Sequence, residues 1–284
     1  TADSHSDERA YAYSDSWPYS ARSDATAVGA ATALGIAAGE GENSITNRGK
    51  IHVDAWGNAE SSADSWSRDQ TATANAIADA SATATAVEGN GDILNARAGS
   101  IEAKARATSN AYANTEAETT TATANLTATA TGIGTASPAG SGVAFSVRND
   151  GSLTVEALAG EDENGTPIQI ALADTDLHVR SCKAETNGAA TVDAAGIRVG
   201  ESMAEITNNG NITVNGRARA HLKADAFSRD YNRTANAHSN AQATAEGIRA
   251  EEQADAITNS GSITVNALAE AAPTGSADSW SSRT

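Results

Sequence analysis

A short string recurs along this chain and limits what it can fold into. It reads Ile257-x-Asn259-x-Gly261-x-Ile263-x-Val265 and returns as Ile206, Asn208, Gly210, Ile212 and Val214. Two more copies are Ile45, Asn47, Gly49, Ile51 and Val53, and Val147, Asn149, Gly151, Leu153 and Val155. A fifth is stretched: Ile93, Asn95, two extra residues, then Gly99, Ile101 and Ala103. Glycines 49, 99, 151, 210 and 261 lie 50, 52, 59 and 51 residues apart, a period near 51. A fixed period of that length is the signature of a repeat architecture.

Other markers keep phase with it. A Gly-Ile pair stands 15 residues before the second isoleucine of the motif, at Gly35-Ile36, Gly196-Ile197 and Gly247-Ile248. An aromatic follows that isoleucine by 15 residues, at Trp66 and Phe227, and the next apolar marker comes 21 later. The repeat therefore divides into three stretches of kept length.

Between markers the pattern alternates. Alanine fills every even position from 72 to 86, with Thr, Asn, Ile, Asp and Ser between. Period two places alternate side chains on opposite faces of a strand, whereas a helix needs spacings of three and four. A parity slip near Thr119–Thr121 predicts a bulge or corner, because a one-residue shift exchanges the faces. Gly49, Gly57-Asn58, Gly89-Asn90-Gly91, Asn215-Gly216 and Gly41 read as corners, since Gly and Asn tolerate left-handed backbone. The expected fold is all-β: one repeat β-solenoid, or parallel β-helix, over residues 1–284, its long strands favouring a wide, flattened coil. Residues 156–195 are the least regular stretch, with Glu161-Asp162-Glu163-Asn164-Gly165, Pro167 and Cys182, and read as an excursion from the coil.

Leu, Ile, Val and Phe together number 37 of 284 residues, with net charge −17, a composition that by itself suggests disorder. The period argues against that, because a coil has no reason to repeat. An alanine-lined interior gives only about 0.8 kcal/mol per buried methyl, so such sheets would pack closer than the usual ~10 Å and lean on hydrogen-bond ladders. The motif asparagines have two readings: an amide ladder between coils, or plain turn residues.

The string Gly247-Ile248 followed by Ile257-Thr258-Asn259-Ser260-Gly261-Ser262-Ile263-Thr264-Val265 resembles passenger repeats of autotransporter and haemagglutinin-type adhesins. The resemblance implies a right-handed parallel β-helix on a bacterial surface. The long Ala/Thr tracts and the 51-residue period differ from that pattern.

The acidic balance excludes phosphate-backbone binding, which needs excess Lys and Arg. No run of 18 apolar residues occurs, so no membrane-spanning helix is expected. Cys182 is the single cysteine, which excludes an intrachain disulfide framework. His5, His52, His178, His221 and His238 share no metal-pair or triad spacing, and no pair of carboxylates stands out for glycoside chemistry, so no enzyme and no cofactor are expected. Calcium is the one metal with a candidate, at Glu161–Asn164 and Asp174-x-Asp176, against the reading of a solvated acidic loop. Outward threonines at 71, 73, 83, 85, 127, 129 and 131 suggest an ice-binding ladder, interrupted by charged residues. Four Asn-x-Thr sequons, at Asn125, Asn164, Asn211 and Asn232, are what a chain this rich in Asn and Thr gives by chance.

Both ends carry the same box, Ser14-Asp15-Ser16-Trp17 and Ala277-Asp278-Ser279-Trp280, with no capping helix. A solenoid without caps exposes strand edges, and a heterologous contact that does not close builds a filament. The leading expectation is a structural subunit of an extracellular filament, its partner being a further copy stacked head to tail. The alternative is a repeat segment of a cell-surface adhesin contacting a cell or glycan through residues 156–195.

Overall fold

A computed structural model describes residues 1–16, 20–39, 43–67, 71–115, 119–135, 145–162, 164–177, 182–200, 204–228, 232–250 and 254–279. Every element among them is a strand, and every strand pairing is parallel. The first coil runs through β1 (Ala2–Ser16), β2 (Ala21–Ala37) and β3 (Asn43–Asn47). The second repeats it as β4 (Lys50–Ser67), β5 (Ala72–Glu88) and β6 (Gly91–Asn95), and the third as β7 (Ser100–Thr115), β8 (Thr119–Gly134) and β9 (Phe145–Asn149). In the fourth the long strand is split into β10 (Ser152–Ala159) and β11 (Gln169–Leu177), followed by β12 (Cys182–Val199) and β13 (Ala204–Asn208). The fifth is β14 (Asn211–Ser228), β15 (Arg233–Ala250) and β16 (Ala254–Asn259), and β17 (Ser262–Ser279) opens a sixth turn.

Equivalent strands stack into three sheets. The first holds β1, β4, β7, the β10/β11 pair, β14 and β17; the second β2, β5, β8, β12 and β15; the third β3, β6, β9, β13 and β16. One 51-residue repeat is thus one coil with two long walls and one short wall, an all-β parallel solenoid. The three kept stretches of sequence are its three walls.

Alternation builds the interior. Alanines 72, 74, 76, 78, 80, 82, 84 and 86 all face inward and are buried, and beyond the motif residues the inward rows of β4, β7 and β14 are mostly as small, Leu222 being the exception. Small side chains let the long walls approach closely. A Cβ added to Gly57 would lie 2.0 Å from the Ser81 carbonyl oxygen of the facing sheet, and one on Gly29 would lie 2.0 Å from that of Asn58. This corrects one expectation. Gly57-Asn58 and Asn215-Gly216 lie within β4 and β14 rather than at corners, and the glycines make room for the opposite wall. Gly49 and Gly89 do lie between strands, and Gly91 opens β6 with φ of 103°; Gly41 falls outside the described residues.

The excursion is also smaller than the span 156–195 expected from composition. Within that span, and among the described residues, those between β10 and β11 leave the coil. β10 holds an offset of 59 from β14 while β11 holds 51, so eight extra residues are absorbed there, with a register shift between Gln169 and Ala171. β11 and β12, with Cys182, rejoin the regular walls. Parity differs on either side of residues 116–118: odd positions face inward in β7, even ones in β8. The slip therefore falls at a passage between walls, outside the described residues.

Candidate assembly interface

The motif sits where the short wall turns into the first long wall, and its asparagines stack along the axis. Asn47 Nδ2 donates to Asn95 Oδ1 at 2.9 Å, Asn95 to Asn149 at 2.7 Å, Asn149 to Asn208 at 2.8 Å and Asn208 to Asn259 at 2.8 Å. Asn95, Asn149 and Asn208 are fully buried, so each neighbour satisfies an amide that would otherwise be costly to bury. The main chain beside them repeats too. The N–H groups of Gly151, Gly210 and Gly261 donate to the carbonyls of Asn95, Asn149 and Asn208 in the preceding coil, at 3.2, 2.9 and 3.0 Å. The glycines are required by contact: a Cβ on Gly151, Gly210 or Gly261 would fall 2.2, 2.0 or 1.9 Å from the carbonyl oxygen of the glycine one coil earlier.

The apolar residues of the motif fill the same edge of the core. Ile206, Ile212, Val214, Leu153, Val155 and Val147 are buried, as is Val53. At the last coil the pattern opens: Ile257, Ile263 and Val265 are 52%, 36% and 41% exposed. Ile45 and Ile51, at the other end, pack against the core while only partly covered. Among the described residues the edge strands are β1, β2 and β3 at one tip and β15, β16 and β17 at the other.

At the first tip Gly49 differs from its equivalents. Nothing lies within 4 Å of a Cβ placed on it, and its φ is not in the left-handed region. Its N–H, with no earlier coil to bond, turns to Asn47 Oδ1 at 3.1 Å.

The outward faces are polar and paired between coils. Lys50 bridges to Glu102 at 3.2 Å, and Glu156 joins Lys104 at 2.9 Å and Arg217 at 3.3 Å. Such half-exposed pairs contribute roughly 0–1 kcal/mol each. The outward threonine row Thr32–Thr83–Thr129 is broken by Asp193, which pairs with Arg198.

The loop at 160–168 is tied down by charge. The Glu161 side chain is fully buried, with Arg219 Nε 2.8 Å from Oε1 and Arg217 Nη2 3.5 Å from Oε2. Neither contact has hydrogen-bond alignment, so the attraction is ionic. Burial pushes the Glu161 carboxyl above its ordinary range, the two arginines oppose this, and Glu156 and Asp162 add to it. Asp162 Oδ1 accepts the Asn164 and Thr166 N–H groups at 2.9 and 2.8 Å, and this holds its carboxyl below the usual range. The acidic string expected as a calcium candidate is committed to these partners. Among the described residues no group of three His, Cys, Asp or Glu could hold a metal ion. Glu163 lies outside them.

A shallow groove of about 450 Å³ runs between this loop and the first wall. Trp56 forms its apolar floor, with the His5 ring edge-on at 4.4 Å, Arg106 5.8 Å from the indole centroid, and the indole N–H donating to Thr108 at 3.1 Å. The remaining histidines are scattered. His52 lies 3.0 Å from Glu102 and His221 3.2 Å from Glu270, His238 is exposed, and His178 falls outside the described residues. Cys182 is buried, its thiol donating to the Phe227 carbonyl at 3.3 Å.

Sequence reasoning placed Glu161 in a calcium candidate or a solvated acidic loop and missed its two arginines. Arg217 and Arg219 lie about one coil beyond the acid, a spacing the eight-residue insertion disguises. No protein-family model, curated protein or solved structure matches the chain.

Proposed function

We propose that this chain is a structural subunit that stacks head to tail, through the open strand edges of its first and last coils, into an extracellular filament. The observation that carries the reading is the last coil: Ile257, Ile263 and Val265 lie open there, while the equivalent Ile206, Ile212 and Val214 are buried one coil earlier. Open strand edges beside an open apolar row are a template for a further coil. A single buried thiol and a net charge of −17 fit a protein that works outside the cell. Negative-stain electron microscopy at low micromolar concentration tests this. Unbranched fibres with a regular axial repeat are the expected result, and separate short rods would remove the reading.

A second reading, a segment of a cell-surface adhesin, is favoured by the groove at Trp56. An indole floor ringed by His5, Arg106 and Glu60 suits a glycan, which offers apolar ring faces and hydroxyl edges. Binding to a glycan array that is lost in Trp56→Ala, with no fibres from the parent chain, would move the weight to it.

A further inference from the structure

We propose that at each junction β17 of one copy takes the place of β1 of the next, so that the coil continues through both molecules without a break. This rests on the head-to-tail reading above and specifies its contact.

β1 and β17 occupy the same phase of the coil, and both end in Asp-Ser. The first wall consequently has one more level than the other two. Were β17 simply to stack on β1, the second and third walls would each lack a strand at the junction, leaving ladder groups unpaired inside the rod. If β17 instead covers β4 of the next copy, all three walls continue together. Arg233 then faces Ala21, Asn259 faces Asn47, Gly261 faces Gly49 and Ser279 faces Ser67, at one offset of 212 residues with no gap.

The first tip is built for that neighbour. Gly49 is a glycine where the isolated molecule has open space, yet Gly151, Gly210 and Gly261 are each required by the carbonyl of the glycine one coil earlier. Gly261 of another copy would supply that carbonyl. The Gly49 N–H would pass from Asn47 Oδ1 to the Asn259 carbonyl, matching the bonds of Gly151, Gly210 and Gly261, and free Asn47 Oδ1 to accept Asn259 Nδ2.

β17 is also the better occupant. It spans 18 residues, as β4 does. Its inward positions are Ile263, Val265, Ala267, Ala269, Ala271, Pro273, Gly275 and Ala277, whereas β1 places Glu8 opposite the buried Ala59. Pro273 removes one ladder donor, a smaller penalty than a carboxylate in an alanine interior.

The test uses the full chain. Gly49→Ala should fold and melt as the parent does but form no fibres. In a Cys182→Ser background, the pair Asn266→Cys and Asp54→Cys should give a ladder of disulfide-linked oligomers under mild oxidation. Within one copy these positions are four strand spacings apart, about 19 Å, beyond reach of a disulfide. The pair Asn266→Cys and Asp3→Cys should give none. Fibres that form with Gly49→Ala and cross-link through the Asp3 pair instead would overturn strand replacement and leave stacking intact. Single rods with neither cross-link would overturn both, and would assign the cover over Gly49 to something other than this chain.

Discussion

An asparagine side chain can donate and accept along one line, and five of them here do so in succession. Removing an interior member should therefore cost more than its own contacts. Asn149→Ala leaves the Asn95 amide without its acceptor and the Asn208 oxygen without its donor, both buried. The expected loss is about 1–3 kcal/mol by urea unfolding, whereas Asn259→Ala, at the exposed end, should lose much less. Titration gives a second expectation. Glu161 has a folded-state value above its ordinary one, so the stability it contributes is complete below the ordinary carboxylate range and is lost as pH rises through the raised value. Asp150, held low by Arg148 and Asn209, behaves oppositely: its contribution is present above the ordinary range and is lost as pH falls through the lowered value. Melting against pH should show Glu161→Gln gaining on the parent as pH rises and Asp150→Asn gaining as it falls. The motif asparagines were visible in the sequence as a periodic residue, yet period alone cannot separate a turn from a ladder. The hydrogen bonds decide it, since the Asn47 side chain does both: its Oδ1 accepts from its own Gly49 while its Nδ2 donates to Asn95.

Among elements, the strands were the legible part. Strict alternation from 72 to 86 is β5, with every even alanine inside. What misled was glycine within a strand. Gly57-Asn58 carries the composition of a turn, but its cause is the opposing wall, which no local pattern reveals. Gly57→Ala should drive a methyl into the Ser81 carbonyl and destabilise the coil by roughly 1–3 kcal/mol, read as a lower urea midpoint. Composition likewise overstated the excursion, because Cys182 and Asp174 look irregular while holding ordinary register. Excising residues 160–167 restores the offset of 51 between the fourth and fifth coils. That variant should keep the strand signal in circular dichroism while losing one side of the Trp56 groove.

For the whole molecule, charge and geometry set how copies meet. A net charge of −17 repels like ends at long range, and salt with a Debye length of about 8 Å at 0.15 M screens it. The lag before fibres scatter light should shorten as salt rises from millimolar to physiological levels. Strand replacement also fixes the axial repeat. Each copy then adds five levels, about 24 Å at a spacing near 4.8 Å, whereas simple stacking would add six, about 29 Å. Fibre diffraction separates the two.

The amide row carries one more consequence. Every Nδ2 in it donates toward the same tip, so the rod is an arrow with acceptors at its tail and a donor at its point. Two points brought together would set donor against donor, and two tails acceptor against acceptor. On the head-to-tail reading proposed above, growth by this row would be vectorial: antiparallel junctions would be rejected, and the two ends of a fibre would elongate at different rates.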